Sequence, residues 1–221
     1  MSEDLEFQRR GSASGDDTSV VIFLHGYGAD GNDLLGLAEP LAPHLPDTVF
    51  IAPNAPDRSM ANPMGFQWFP IPWIDGSSEA AAGEGLLRSA RRLDAFIDKV
   101  LADEGLTPDR LMLFGFSQGT MMSLHVAPRR TDQIAGIVGF SGRLMMPDAL
   151  AIEAISRPPV LLVHGDADDV VQFPEMQAAA EALQNAEFDV YGHVMKGTGH
   201  GIAPDGLGVA LTFMRSFFGI E

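Results

Sequence analysis

"LMLFGFSQGTMM", residues 111–122, runs through apolar residues, drops to one serine set between two glycines, and turns apolar again. The run from Leu111 to Phe116 has the length and unbroken apolar character of a buried strand. Met121, Met122, Leu124 and Val126 then fit a helix. Between them, Gly115-Phe116-Ser117-Gln118-Gly119 suits a tight strand-to-helix turn, which a side chain at either glycine would crowd. Such a turn lifts a hydroxyl above the strand ends, and the free N–H groups of the following helix face the same point. A turn between two buried elements accounts for the glycines; a nucleophile accounts for Ser117 as well. Gly139-Phe140-Ser141-Gly142-Arg143 is similar, but it lacks the fifth-position glycine and leads into a loop with Pro147. Ser141 is therefore set aside.

Outward from this stretch the same alternation continues. "TSVVIFLHG", "TVFIAP", "QIAGIVGFSG", "PVLLVHGD" and "DVYGHVMKG" read as further strands. Residues 77–105 place Leu86, Ala90, Leu93, Phe96, Ile97 and Val100 on one helical face, with Ser77 or Ser78 as cap and Gly105 as stop. "NDLLGLAEPLAPHL" has helical spacing that Pro40 and Pro43 shorten or bend. "PEMQAAAEALQNAE" and "GLGVALTFMRSFF" are the other helices. Continuous apolar strands separated by helices predict a single α/β domain over residues 1–221: a mostly parallel central sheet, helices on both faces, no separate cap domain. Residues 53–78 are the one long irregular stretch and hold both tryptophans and two phenylalanines. These aromatics suit a wall or lid over a site better than a linker.

The chain has 30 acidic against 14 basic residues, a net charge of −16. That field repels phosphate, so nucleic acid is excluded as a partner and stable association with anionic membrane is not expected. There is no cysteine, hence no disulfide and no thiolate chemistry. The acidic, polar opening stretch and the lack of a spanning apolar run lead to a cytoplasmic expectation.

A serine hydroxyl needs a base, usually histidine oriented by a carboxylate. His44 ends a helical pattern, His125 lies two turns beyond Ser117, and His193 is inside a strand. His25 and His164 end strands and suit core or supporting roles. His200 sits in the glycine-rich "KGTGHGIAP" between the last strand and the last helix, where α/β sheets keep their sites, and is taken as the base. "VHGDADDV" offers Asp166, Asp168 and Asp169 after the fifth strand, and position alone does not choose among them. A tetrahedral intermediate needs two N–H donors. Gln118 supplies one, and the loop "LHGYGADG" the other.

These pieces together resemble the phospholipase/carboxylesterase family of small α/β-hydrolases. The resemblance runs from "VIFLHGYGADG" to "GTGHGI" and rests on "FLHGYGAD", "GFSQG", "HGDADDVV" and the late "GH". It implies Asp168 as the triad acid, with Asp166 shaping the turn, and Tyr27 as the second oxyanion donor. It implies that Trp68, Phe69, Val170 and Val171 line the acyl pocket. It also implies a serine carboxylesterase with no metal and no cofactor. Little chain left for a cap domain, the bulk of Trp68, Phe69 and Tyr27, and the acidic surface lead to soluble esters of short to medium acyl chain as the expected substrates. A thioesterase or lysophospholipase with the same triad is the nearest alternative, and a binding protein on a hydrolase scaffold a more distant one. A homodimer stays open. Tyr27 is larger than the small aliphatic residue usual in the family, so its bulk is expected to shorten the acyl pocket.

Overall fold

The apolar runs become strands in a computed structural model that describes residues 4–220. The strands are β1 (Phe7–Arg10), β2 (Ser19–Leu24), β3 (Thr48–Pro53), β4 (Asp57–Arg58), β5 (Phe66–Gln67), β6 (Leu111–Phe116), β7 (Gly136–Phe140), β8 (Val160–Gly165) and β9 (Val190–Met195). The helices are α1 (Gly31–Leu35), α2 (Ala38–Leu41), α3 (Pro72–Asp75), α4 (Glu79–Glu104), α5 (Gln118–Val126), α6 (Pro147–Glu153), α7 (Pro174–Asn185) and α8 (Pro204–Phe218). Seven strands form one sheet in the order β1-β3-β2-β6-β7-β8-β9, parallel except for the β1–β3 pair. β4 and β5 pair separately as a small antiparallel sheet.

Alternation along β2 explains the layers. Val20, Ile22 and Leu24 pack with Leu93, Phe96 and Ile97 of α4 and Leu183 of α7, while Val21 and Phe23 pack with Leu34, Leu41, Phe213 and Met214 on the other face. Both faces are therefore covered, as a sheet of continuous apolar strands requires. α4 begins where Ser78 Oγ accepts the Ala81 N–H at 3.1 Å and ends at Gly105, whose φ of 66° suits glycine. All nine residues of α5 are buried, so this helix is enclosed on every side rather than amphipathic.

Four segments differ from what the sequence pattern predicts. The helical pattern of residues 32–45 is divided into α1, α2 and a 3-10 turn at Ala42–His44, because Pro40 and Pro43 lack the N–H groups a continuous helix needs. Residues 53–78 contain the β4–β5 hairpin and α3. β1 and α6 carry no apolar pattern that announced them.

His125, 3% exposed, leaves its Nδ1 without a partner among the described residues. Burial first, then the neighbouring Arg129, pushes its imidazole down to about 4. The unfolded chain, with an ordinary histidine near ~6.5, therefore binds this proton first, and stability falls as pH drops from ~6.5 toward about 4. The shift corresponds to at most about 3 kcal/mol. Urea unfolding of wild type and His125→Gln from pH 7 to 4 is expected to show the difference between them changing across that window. A constant difference would mean that His125 does not titrate there.

Candidate active site

The chain leaves β2 toward β3 on one side, while β6, β7, β8 and β9 extend on the other. The crevice for a ligand in such a sheet opens beyond the carboxyl ends of the strands at that reversal, between β2 and β6. Gly26 and Ser117 meet there: a Cβ on Gly26 would lie 3.4 Å from Ser117 Cβ. Ser117 stands between β6 and α5 with φ 54° and ψ −114°, a backbone conformation that costs a non-glycine residue about 1–3 kcal/mol. The Ser117 N–H donates to Phe140 O at 2.8 Å and Ser117 O accepts from Met121 N–H at 3.2 Å. The flanking glycines have the mechanical role expected of them. A Cβ on Gly119 would overlap the Leu24 carbonyl, and one on Gly115 would overlap the Thr120 amide.

His200 lies on the loop after β9. Its Nδ1–H donates to Asp168 Oδ2 at 2.8 Å, and its ring packs on Phe116 at a centroid distance of 4.9 Å. With Nδ1 donating to a carboxylate, the neutral ring carries its lone pair on Nε2. Gly165 lets the two loops meet, since a Cβ there would overlap the Thr198 carbonyl. The Asp168 side chain has no exposed surface. Its Oδ1 accepts the Val170 and Val171 N–H groups at 2.9 and 3.0 Å. His164 Nε2, which donates to Val171 O at 2.7 Å, lies 3.3 Å from Asp168 Oδ2. Burial pushes the Asp168 carboxyl up, but the His200 hydrogen bond and the two amides outweigh it and hold the group below its ordinary value. Asp166 is exposed and ties two turns together, accepting Gly197 N–H at 2.6 Å and pairing with Lys196 at 3.2 Å. Asp169 is exposed. Of the three aspartates that position left open, only Asp168 meets the histidine.

The N–H groups of Tyr27 and Gln118 have no backbone partner among the described residues, whereas those of Gly28 and Ala29 are used by Phe66 O and Gly26 O. The side chains of the same two residues do something the sequence did not disclose. Gln118 Oε1 accepts Trp68 N–H at 2.9 Å and its Nε2–H donates to Phe69 O at 2.8 Å. The Tyr27 hydroxyl donates to Asp75 Oδ2 at 3.1 Å. A glutamine opening an otherwise apolar, enclosed helix was the available signal, since a buried amide requires partners.

The pocket residues divide. Phe69, Ile71, Trp73, Leu86, Arg143 and Met145 are among those lining a cavity of about 160 Å³ between the aromatic loop and α4. Trp68 does not line it. Its ring is fully buried beneath the loop, with Nε1–H donating to His25 O at 3.0 Å. Val170 is 59% exposed and Val171 buried, and neither lines this cavity; their amides hold Asp168 instead. Tyr27 is also absent from the cavity, because its phenol turns toward Asp75. His25 is a core group, as read: Nδ1–H donates to Gly26 O, Nε2 accepts Ala55 N–H, and burial lowers its pKa. Among the described residues, no group of three or more His, Asp or Glu is arranged to hold a metal ion, and no helix is long and apolar enough to cross a membrane.

A serine on a strained strand-to-helix turn at the reversal point of a parallel sheet, with a histidine–carboxylate pair on the next loops, defines an α/β-hydrolase. A sequence model described as phospholipase/carboxylesterase matches residues 11–218, and the chain belongs to that family of serine ester hydrolases. It is 30% identical to acyl-protein thioesterase 1 of Gibberella zeae over 92% of each chain. It is 32% identical to a probable carboxylesterase of Oryza sativa subsp. japonica, over 89% of this chain and 76% of that one. Among solved structures, esterase PE8 matches with a TM-score of 0.92 and 40% identity, over 97% of this chain and 99% of that chain.

Proposed function

We propose that the protein is a serine carboxylesterase in which Ser117, His200 and Asp168 form the triad. The observation that carries this reading is the 2.8 Å bond from His200 Nδ1 to buried Asp168, with the His200 ring packed on Phe116, the residue before Ser117 in its strained turn. Ser117 Oγ attacks the ester carbonyl while His200 Nε2 takes its proton, and Asp168 stabilises the imidazolium. The Tyr27 and Gln118 N–H groups hold the oxyanion. Collapse expels the alcohol, protonated by His200, and leaves an acyl-serine. Water then repeats the sequence and releases the acid.

Residues 53–78 form the wall of the site, and the cavity beneath Trp73 takes the acyl chain. A space of about 160 Å³ suits short to medium chains, because each CH₂ adds about 0.8 kcal/mol only while it fits. Absence of stable membrane association belongs to this proposal, supported by the −16 charge, as does a cytoplasmic location. Every group named comes from one chain, so a second copy is not needed to complete the site.

A second reading, acyl-protein thioesterase, is favoured by the name of the Gibberella zeae relative. A p-nitrophenyl ester series from acetate to palmitate, run beside an acyl thioester and a lysophospholipid, separates the two. On the esterase reading, kcat/KM is expected to peak at short to medium acyl length and then fall. A steady rise to palmitate, or better turnover of thioester or lysophospholipid, would favour the second reading.

A further inference from the structure

We propose that the Tyr27 hydroxyl is a positioning group that fastens the acyl-side wall to the oxyanion hole and so sets which acyl chains are turned over. The inference deepens the esterase reading and rests on it. α3 is four residues long and buries none of its side chains; Trp73 is 67% and Ile74 46% exposed. Ile71 is the one buried side chain of residues 71–77, and Trp73 meets the Arg143 guanidinium at 5.2 Å, so hydrogen bonds carry the rest of the hold on this part of the wall.

Those bonds converge on one carboxylate. Asp75 Oδ2 accepts both the Tyr27 hydroxyl at 3.1 Å and the Ile71 N–H at 2.8 Å, and Oδ1 accepts the Ser77 N–H at 2.9 Å. Asp75 thereby closes the segment 71–77 on itself, and Tyr27 is the link from that closed segment to the β2 loop. Burial pushes the Tyr27 phenol up, so it remains a donor at neutral pH. Farther back along the same wall, Gln118 clamps Trp68 and Phe69. The two residues whose N–H groups face the oxyanion thus hold, by their side chains, the two parts of one wall. Ile71, Pro72 and Trp73, which border the cavity, belong to the part Tyr27 holds. Displacing that part loosens the cavity and the Tyr27 N–H together, so the effect reaches kcat as well as KM.

The test uses Tyr27→Phe, which keeps the ring and the backbone donor, with Asp75→Asn and the double variant. Amide hydrogen exchange of the ligand-free protein is read at residues 71–77, and kcat and KM are read for p-nitrophenyl acetate, butyrate, octanoate and decanoate. In Tyr27→Phe, exchange across 71–77 is expected to rise about ten-fold. kcat should fall severalfold on every ester, and the preference should move toward longer chains. The double variant should be little worse than Asp75→Asn alone. Unchanged exchange, an unchanged acyl profile, or single effects that simply multiply would overturn the proposal. The ligand-free exchange is independent of activity, so a wild type that cleaves no ester would refute the esterase reading while the fastening is still judged by exchange.

Discussion

Ser117→Ala is expected to lower kcat by about 10⁶-fold, the scale seen when a triad serine is removed, while the protein stays folded. Alanine keeps the Cβ, so the φ of 54° and the backbone bonds to Phe140 and Met121 are undisturbed. Initial rates on p-nitrophenyl butyrate, fluorophosphonate labelling and a melting curve give the three readouts. The rival Ser141 is fully buried, and its Oγ has no partner among the described residues. A variant without Ser117 that retained more than a few per cent of activity, together with an inactive Ser141→Ala, would move the nucleophile to residue 141.

Asp168→Asn is expected to lower kcat by about 10⁴-fold, as in other triads. The local bonds explain why an amide fails here. Val170 and Val171 both donate to Oδ1, so the amide oxygen of an asparagine must stay there. Its NH₂ then takes the place of Oδ2, facing His200 Nδ1–H and His164 Nε2. His200 relieves that clash by moving its proton to Nε2, and a protonated Nε2 cannot accept the serine proton. Asp169→Asn, at an exposed position, should change kcat/KM by less than about two-fold. Asp166→Asn should lower the melting temperature more than the rate, because Asp166 joins the turns at Gly197 and Lys196. Equal catalytic losses at 168 and 169 would contradict the assignment.

The central strands and α4 were legible because burial on both faces, or on one helical face, writes an apolar pattern directly. The turn at Ser117 was legible for a different reason: only glycine tolerates the close approach of Leu24 and Thr120. β1, "FQRR", is exposed along its length and pairs antiparallel at the sheet edge, so no apolar signal marked it. Asp168 could not be separated from Asp166 and Asp169 by position, since the choice depends on which carboxylate the turn folds inward. Side-chain direction was the least accessible property. The Trp68 ring is fully buried with its N–H on His25 O, and the Tyr27 hydroxyl reaches Asp75. Neither direction has a counterpart in residue type.

The enclosure of α5 has a consequence for how this scaffold can vary. Every residue from Gln118 to Val126 is packed on all sides, and the Thr120 hydroxyl bonds both Gly115 O and Phe140 O. A substitution scan along this helix should read as a cliff. Across the hairpin tip, where the side chains of Met60, Ala61, Pro63 and Met64 are exposed, it should read as a plateau broken at Asn62, whose amide donates to Gly28 O. Drift and selection therefore meet different resistance along the chain: α5 is held by its neighbours, while the hairpin tip is free to be rewritten. New substrate ranges on this scaffold should arise from the loop and leave the helix untouched.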